Sequence, residues 1–217
     1  MSKDDCLNKL GKNEISTDEL IKYVKDDFSL IPMVIEGVSS TNPRIKYGCA
    51  KTLSKISEEH PEKLYKDMEF FIDLLETENN IIKWNAMDII ANLTRVDIKK
   101  KFDDIFTKYY SFINADTMVT VAHVVDNSGK IALAKPYLIN KITNEILKLE
   151  KISMKPRLTQ ECKNILFGKA IIVFNQYFDK IEKPKVVISF IKKQLKNTRA
   201  GTKIKAEKFM KTREIKP

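Results

Sequence analysis

The chain is expected to be all-α: a right-handed α-α superhelix, a solenoid of about five helix pairs. Three observations point there. Apolar or small residues recur at steps of four, four and three in Ile45, Cys49, Leu53 and Ile56, and again 37 residues later in Ile82, Ala86, Ile90 and Leu93; each set is one face of a helix. The frame continues at offsets of 38, 39 and 38, so that one column reads Ser54, Ala91, Gly129, Gly168 and Ala206. No stretch shows a strand pattern, and 6 Gly and 7 Pro in 217 residues are few for an all-β chain of tight turns. Glycine inside a helix costs roughly 1 kcal/mol against alanine, so a small residue kept throughout the column reads as room for a neighbouring helix.

Each element follows from local signals. Residues 1–14 read as an N-terminal extension. Ser16-Thr17-Asp18-Glu19 has the spacing of a capping box and opens the first helix, whose partner runs from Phe28 to Val38. Asn42-Pro43 starts the next long helix. Pro61 opens a second helix carrying Leu64, Met68, Phe71 and Leu75. Further second helices cover Ile98 to Ile113 (Phe102, Ile105, Phe106, Tyr109, Ile113), Pro136 to Leu149 (Leu138, Ile142, Leu149) and Pro184 to Lys196 (Val187, Ile191, Leu195). Proline suits a first helical turn, where its missing N–H is not needed. Glu78-Asn79-Asn80, Asn114-Ala115-Asp116 and Asn197-Thr198 break the chain between pairs. One solenoid domain is therefore expected over residues 15–211, with a basic last repeat from about 184 and a tail at 212–217.

Asn42-Pro43-Arg44-Ile45-Lys46-Tyr47-Gly48-Cys49-Ala50-Lys51-Thr52-Leu53 resembles a HEAT first helix, and Phe28 through Val38 resembles a HEAT second helix. The period is slightly shorter than the usual ~40–47 residues. The resemblance covers roughly residues 15 to 211. The chain is also similar to uncharacterised HEAT-repeat proteins of archaea, most tellingly from Gln194 through Arg199 and Lys205 through Phe209. The resemblance implies a HEAT/armadillo-type scaffold with binding surfaces and no particular chemistry. Some HEAT-like proteins bind DNA, certain alkylpurine DNA glycosylases among them.

The chemistry-bearing residues are sparse. His123 lies at helical spacing from Asp126 and Asn127, but no nucleophile is near in sequence. His60 follows two glutamates and precedes Pro61, as in an inter-helix turn. Trp84 with Asp88 is the one Trp–carboxylate pair at helical spacing, and its column partners are Tyr47 and Lys51; Lys51 and Asp88 are placed to pair across a repeat boundary. The glycines are singletons, so no phosphate-cradling loop is present. The three cysteines (Cys6, Cys49, Cys162) lie far apart and form neither a disulfide framework nor a spaced metal site. No catalytic residue, cofactor or metal is expected, and the chain reads as a non-enzyme. The N-terminus does not read as a secretory signal, and the apolar run from Ile165 to Phe174 is too short to span a bilayer. A cytoplasmic protein with reduced thiols follows.

Charge is the strongest remaining signal. The net charge is +10 and the pI about 9.3, yet residues 184–217 hold eleven basic groups against two acidic ones, and the rest of the chain is nearly neutral. Such a cluster attracts nucleic acid, acidic protein tails or an anionic membrane surface; a polar capping repeat is the plainer explanation. The leading expectation is a non-catalytic scaffold that binds a macromolecular partner, a protein, on a concave surface of stacked second helices. The contact residues would be Lys101, Lys108, Lys141 and Lys148 on those helices, with Lys185, Lys192, Lys193, Lys196, Arg199, Lys203 and Lys205 at the basic end. A nucleic-acid-binding module using that end is the alternative, and a HEAT-like DNA glycosylase the third reading. Oligomeric state is not legible.

Overall fold

Side-chain caps start the long helices where the sequence places them. In the computed structural model, which describes residues 3–216, Ser16 and Glu19 form a reciprocal capping box, Ser16 N–H donating to Glu19 Oε2 at 2.8 Å and Glu19 N–H to Ser16 Oγ at 3.2 Å. Asn42 and Asn79 accept from backbone N–H groups two residues on, at 2.9 and 3.1 Å, and Thr117 and Thr159 cap two further helices. The described residues form thirteen α-helices, several ending in short 3-10 turns, and no strand; an isolated bridge joins Lys155 and Leu158.

The chain divides into two compact units, residues 1–102 and 103–217. The first contains α1 (Lys3–Gly11), α2 (Thr17–Asp26), α3 (Ile31–Gly37), α4 (Pro43–Glu59), α5 (Pro61–Leu64), α6 (Met68–Asp73) and α7 (Asn80–Leu93). Residues ahead of the capping box thus form α1, which buries Cys6 and Leu10 and packs on α3 and α4. The long helix α4 lies along both α2 and α7. Its apolar face, Cys49, Leu53 and Ile56, is fully buried, as are Ala86, Ile90 and Leu93 of α7. Arg95 closes the end of α4 by donating to the carbonyls of Ser57 (3.1 Å) and Glu58 (2.5 Å), a favourable place for a cation.

The second unit takes in most of α8 (Lys101–Ser111), then α9 (Met118–Ala134), α10 (Ile139–Leu147), α11 (Gln160–Tyr177), α12 (Pro184–Gln194) and α13 (Ala200–Thr212). Tyr109, Tyr110, Phe174, Tyr177 and Phe190 fill its core; Phe190 meets Phe167 and Phe174 edge-on at 5.6 and 5.7 Å. The buried Tyr110 hydroxyl donates to Ser128 Oγ at 3.1 Å. Arg213 repeats the device of Arg95, donating to the carbonyl of Asn175 near the end of α11 and pairing with Asp179.

The small-residue column has the packing role read from the sequence. A Cβ on Gly168 would lie 2.8 Å from Thr202 Oγ1 on α13, and one on Gly129 would run into the Gln176 amide of α11. Glycine there lets α9, α11 and α13 lie close side by side.

A second repeated slot sits at the corners after the long helices. Phe28 meets His60 edge-on at 5.1 Å, the Tyr65 hydroxyl donates to Asp97 Oδ1 at 2.7 Å, and Lys135 pairs with Asp103 at 3.3 Å; the partners are thirty-two residues apart each time. Ring stacking, a charge-assisted hydrogen bond and an ion pair do the same job. The slot is a matter of position, and its chemistry is interchangeable.

Candidate functional site

Lysines are long, flexible and well hydrated, so those already tied to an acid differ from those left to a ligand. Of the residues expected to contact a partner, Lys101 is half-buried, paired with Glu69 at 2.9 Å and 5.7 Å from the Tyr65 ring. Lys108 is half-buried on α8. Lys148 pairs with Glu145 at 2.6 Å, Lys193 with Glu150 at 2.9 Å, and Lys203 with Glu207 at 3.9 Å, and Arg199 pairs with Glu161. Lys141, Lys185, Lys192 and Lys196 are exposed, Lys205 is half-buried, and these five make no ion pair among the described residues. The structure therefore splits the expected set into cations already paired with an acid, on the same helix or on a neighbouring segment, and lysines without one.

The long helices of the second unit make its most extensive helix–helix packing. The long helices α9, α11 and α13 pack along much of their length, whereas α10 and α12 barely touch one another. Lys141, Asn144 and Lys148, expected on the second helices, stand exposed on α10 and the short turn that follows it.

Between them α11 and α13 leave a groove of about 260 Å³ lined by Ile171, Ile172, Asn175, Lys205, Lys208, Phe209 and Thr212. Ile172 is 47% exposed. The Lys205 side chain lies across Gly168, 3.4 Å from where a Cβ would stand, so the glycine that admits α13 also admits this lysine to the groove edge. Lys208 is exposed, without an ion pair among the described residues. Ile172 and Lys208 were not singled out from sequence. Ile172 sits inside an apolar run that looks uniformly buried, and only its surroundings distinguish it.

The other expected features fall into structural places. Lys51 pairs with Asp18 of α2 at 3.3 Å, one repeat earlier than the Asp88 expected for it. Asn92 is buried and donates to Ser57 Oγ at 2.9 Å. His60 stands in the turn between α4 and α5, its backbone N–H donating to the Ile56 carbonyl. His123 is half-buried on α9, and the Asp126 carboxylate on the same helix is taken by Lys169 of α11. Trp84 and Asp88 are half-buried. Burial pushes the Cys49 thiol up to about 12, which makes it a packing group. Among the described residues no group of three or more His, Cys, Asp or Glu side chains is placed to hold a metal ion, and no helix is long and apolar enough to cross a membrane.

No family model matches the chain, and no curated protein matches it. Solved structures do. A designed armadillo repeat protein in complex with the peptide (KR)4 superposes with a TM-score of 0.65 at 14% identity, over 96% of this chain and 91% of that one. Another designed armadillo repeat protein gives 0.62 at 14%, over 95% and 91%. An engineered protein solved as a structural-genomics target gives 0.56 at 13%, over 96% and 87%. The fold is an armadillo-like helical repeat.

Proposed function

We propose that the chain is a non-catalytic interaction scaffold that holds a segment of another protein, with its basic last repeat as one contact site. The observation that carries this reading is the α11–α13 groove: an apolar floor at Ile172 and Phe209, with Lys205 and Lys208 beside it. Armadillo-like folds commonly serve as binding scaffolds, and one of the similar designed proteins was solved with a peptide in place. That peptide is basic. The groove here carries positive charge, so its complement is a segment of acidic and apolar side chains. Free cysteines agree with a reducing compartment, the cytoplasm. The test is titration of a short Glu-Leu repeat peptide against the full chain, with (KR)4 as comparison. The reading expects saturable binding of the acidic peptide, loss of at least tenfold in the K205E/K208E variant, and no binding of (KR)4. Equal binding of both peptides, or of neither, would refute it.

The unpaired lysines on α12 and α13 favour a second reading, in which the basic end of the second unit contacts nucleic acid. Residues 1–102 hold 16 basic and 18 acidic groups, whereas residues 103–217 hold 23 basic and 11 acidic. A unit with that excess supplies the sequence-independent, salt-sensitive attraction that phosphate contact requires.

A further inference from the structure

Where the second unit turns from its short helices into its long ones, three segments come together. Lys155 Nζ donates to the Asn114 carbonyl and pairs with Asp116, both at 2.7 Å. Lys193 reaches Glu150 at 2.9 Å. Asn164 Nδ2 donates to Thr198 Oγ1 at 3.0 Å, and Arg199 pairs with Glu161. Segments 114–117, 145–163 and 192–199 therefore form one continuous edge. It carries nine basic residues against four acidic ones and contains no Phe, Tyr or Trp.

One part of this edge has no counterpart in the repeat frame. Between α10 and α11 the chain makes a tight turn in which Lys155 N–H and the Leu158 carbonyl bond at 3.1 Å and Leu158 N–H and the Lys155 carbonyl at 2.9 Å. Ile152 and Leu158 are buried and anchor it, while Pro156 and Arg157 stand exposed at its tip. A cavity of about 420 Å³ lies there, lined by Asp116, Lys155, Pro156 and Arg157. Arg157 makes no ion pair among the described residues; nor do Lys151, Lys192 and Lys196, which are exposed on the same edge.

We infer that this edge, through Lys151, Arg157, Lys192 and Lys196, binds the phosphate backbone of duplex nucleic acid. The inference rests on the second reading above and gives it a location. An acidic protein is the poorer fit, because protein interfaces centre on aromatic and apolar anchors and Met154 is the one large exposed hydrophobic side chain on these segments. A single strand is also the poorer fit, because without aromatics there is nothing for unpaired bases to stack on. Cations held on a rigid turn and on helix ends suit phosphates, with little sequence preference.

The test uses the full chain and a fluorescent 20-base-pair DNA duplex of arbitrary sequence, with binding followed by anisotropy from 50 to 200 mM salt. Two fourfold variants remove equal charge from exposed positions: K151Q/R157Q/K192Q/K196Q on the edge, and K180Q/K183Q/K185Q/K211Q away from it. Four phosphate contacts correspond to a slope of about 3.6 in log K against log salt, or roughly a hundredfold change across this range. The edge variant is expected to lose about that much of the salt dependence, and the second variant little. Equal losses in the two variants would overturn the edge and leave the second reading standing. Absence of duplex binding by the unmodified chain at 50 mM salt would overturn both. Tighter binding to phosphatidylserine vesicles or to polyglutamate than to the duplex at equal salt would overturn the choice of ligand.

Discussion

Replacing Gly168 by alanine sets two known effects against each other. In an open helix the change is stabilising by roughly 1 kcal/mol. Here the new methyl would stand 2.8 Å from Thr202 Oγ1 and 3.4 Å from Lys205 Cδ. Thr202 has little freedom to withdraw: it is β-branched, 1% exposed, and its hydroxyl donates to the Asn164 carbonyl at 2.6 Å. Overpacking of this kind costs about 1–3 kcal/mol, and a strained hydrogen bond adds about 0.5–1.5 kcal/mol. The net expectation is a loss of about 0.5–3.5 kcal/mol. Gly201, in the first turn of α13, supplies the control, since a Cβ there meets nothing within 4 Å; its alanine variant should be neutral or stabilising, by at most about 1 kcal/mol. The assay is urea denaturation of both variants, read as midpoint shifts at unchanged slope. Adding T202A to G168A should recover part of the loss, because the atom in the way is gone. If G168A stabilises as much as G201A, the small column is not a close-approach column.

Asp97 is nearly buried and accepts from the Tyr65 hydroxyl and from the N–H groups of Lys101 and Phe102, so D97A should cost about 2–4 kcal/mol by thermal or urea unfolding, well above an ordinary cap. Maleimide should label Cys162, which is partly exposed, and leave Cys6 and Cys49 unmodified in the native protein, as mass spectrometry of labelled peptides would show. Glu19 is held below the ordinary carboxylate range by the Ser16 backbone N–H and side chain, and Glu59 by Lys25 and Lys55. Their stabilisation is therefore present above the unfolded carboxylate value, near pH 4.3, and is lost as pH falls through the lower folded values. Urea midpoints should stay level from pH 7 to 5 and drop below about pH 4, with a shallower drop in E19Q.

Much of the fold was legible because helices that stack at a fixed period must repeat their buried positions, as Ile45 through Ile56 and Ile82 through Leu93 do. The small column was legible for the same reason, and Gly168 and Gly129 pack as it implies. The α11–α13 groove was not, because it depends on how helices from two successive repeats meet, which no single helix encodes. The Met154–Arg157 turn was missed because an insertion has no periodicity to betray it; Pro156 was its one local mark. At the basic end, sequence located the charge correctly and could not tell Lys193, tied to Glu150, from Lys192, which is open. That distinction depends on which acids the neighbouring repeat brings within reach. Residues 3–11 gave little sign of their helix, since α1 buries a narrow stripe around Cys6 and Leu10 and depends on α4 for it.

The central claim is that a partner is held on the face of the long helices. Site-specific photo-crosslinking of the acidic Glu-Leu peptide tests it most directly, with the crosslinker placed at Ile172 on α11 or at Asn144 on α10, both exposed. Efficient capture from position 172 and little from 144, competed by unlabelled peptide, is the expected result. Capture from 144 without capture from 172 would contradict the account.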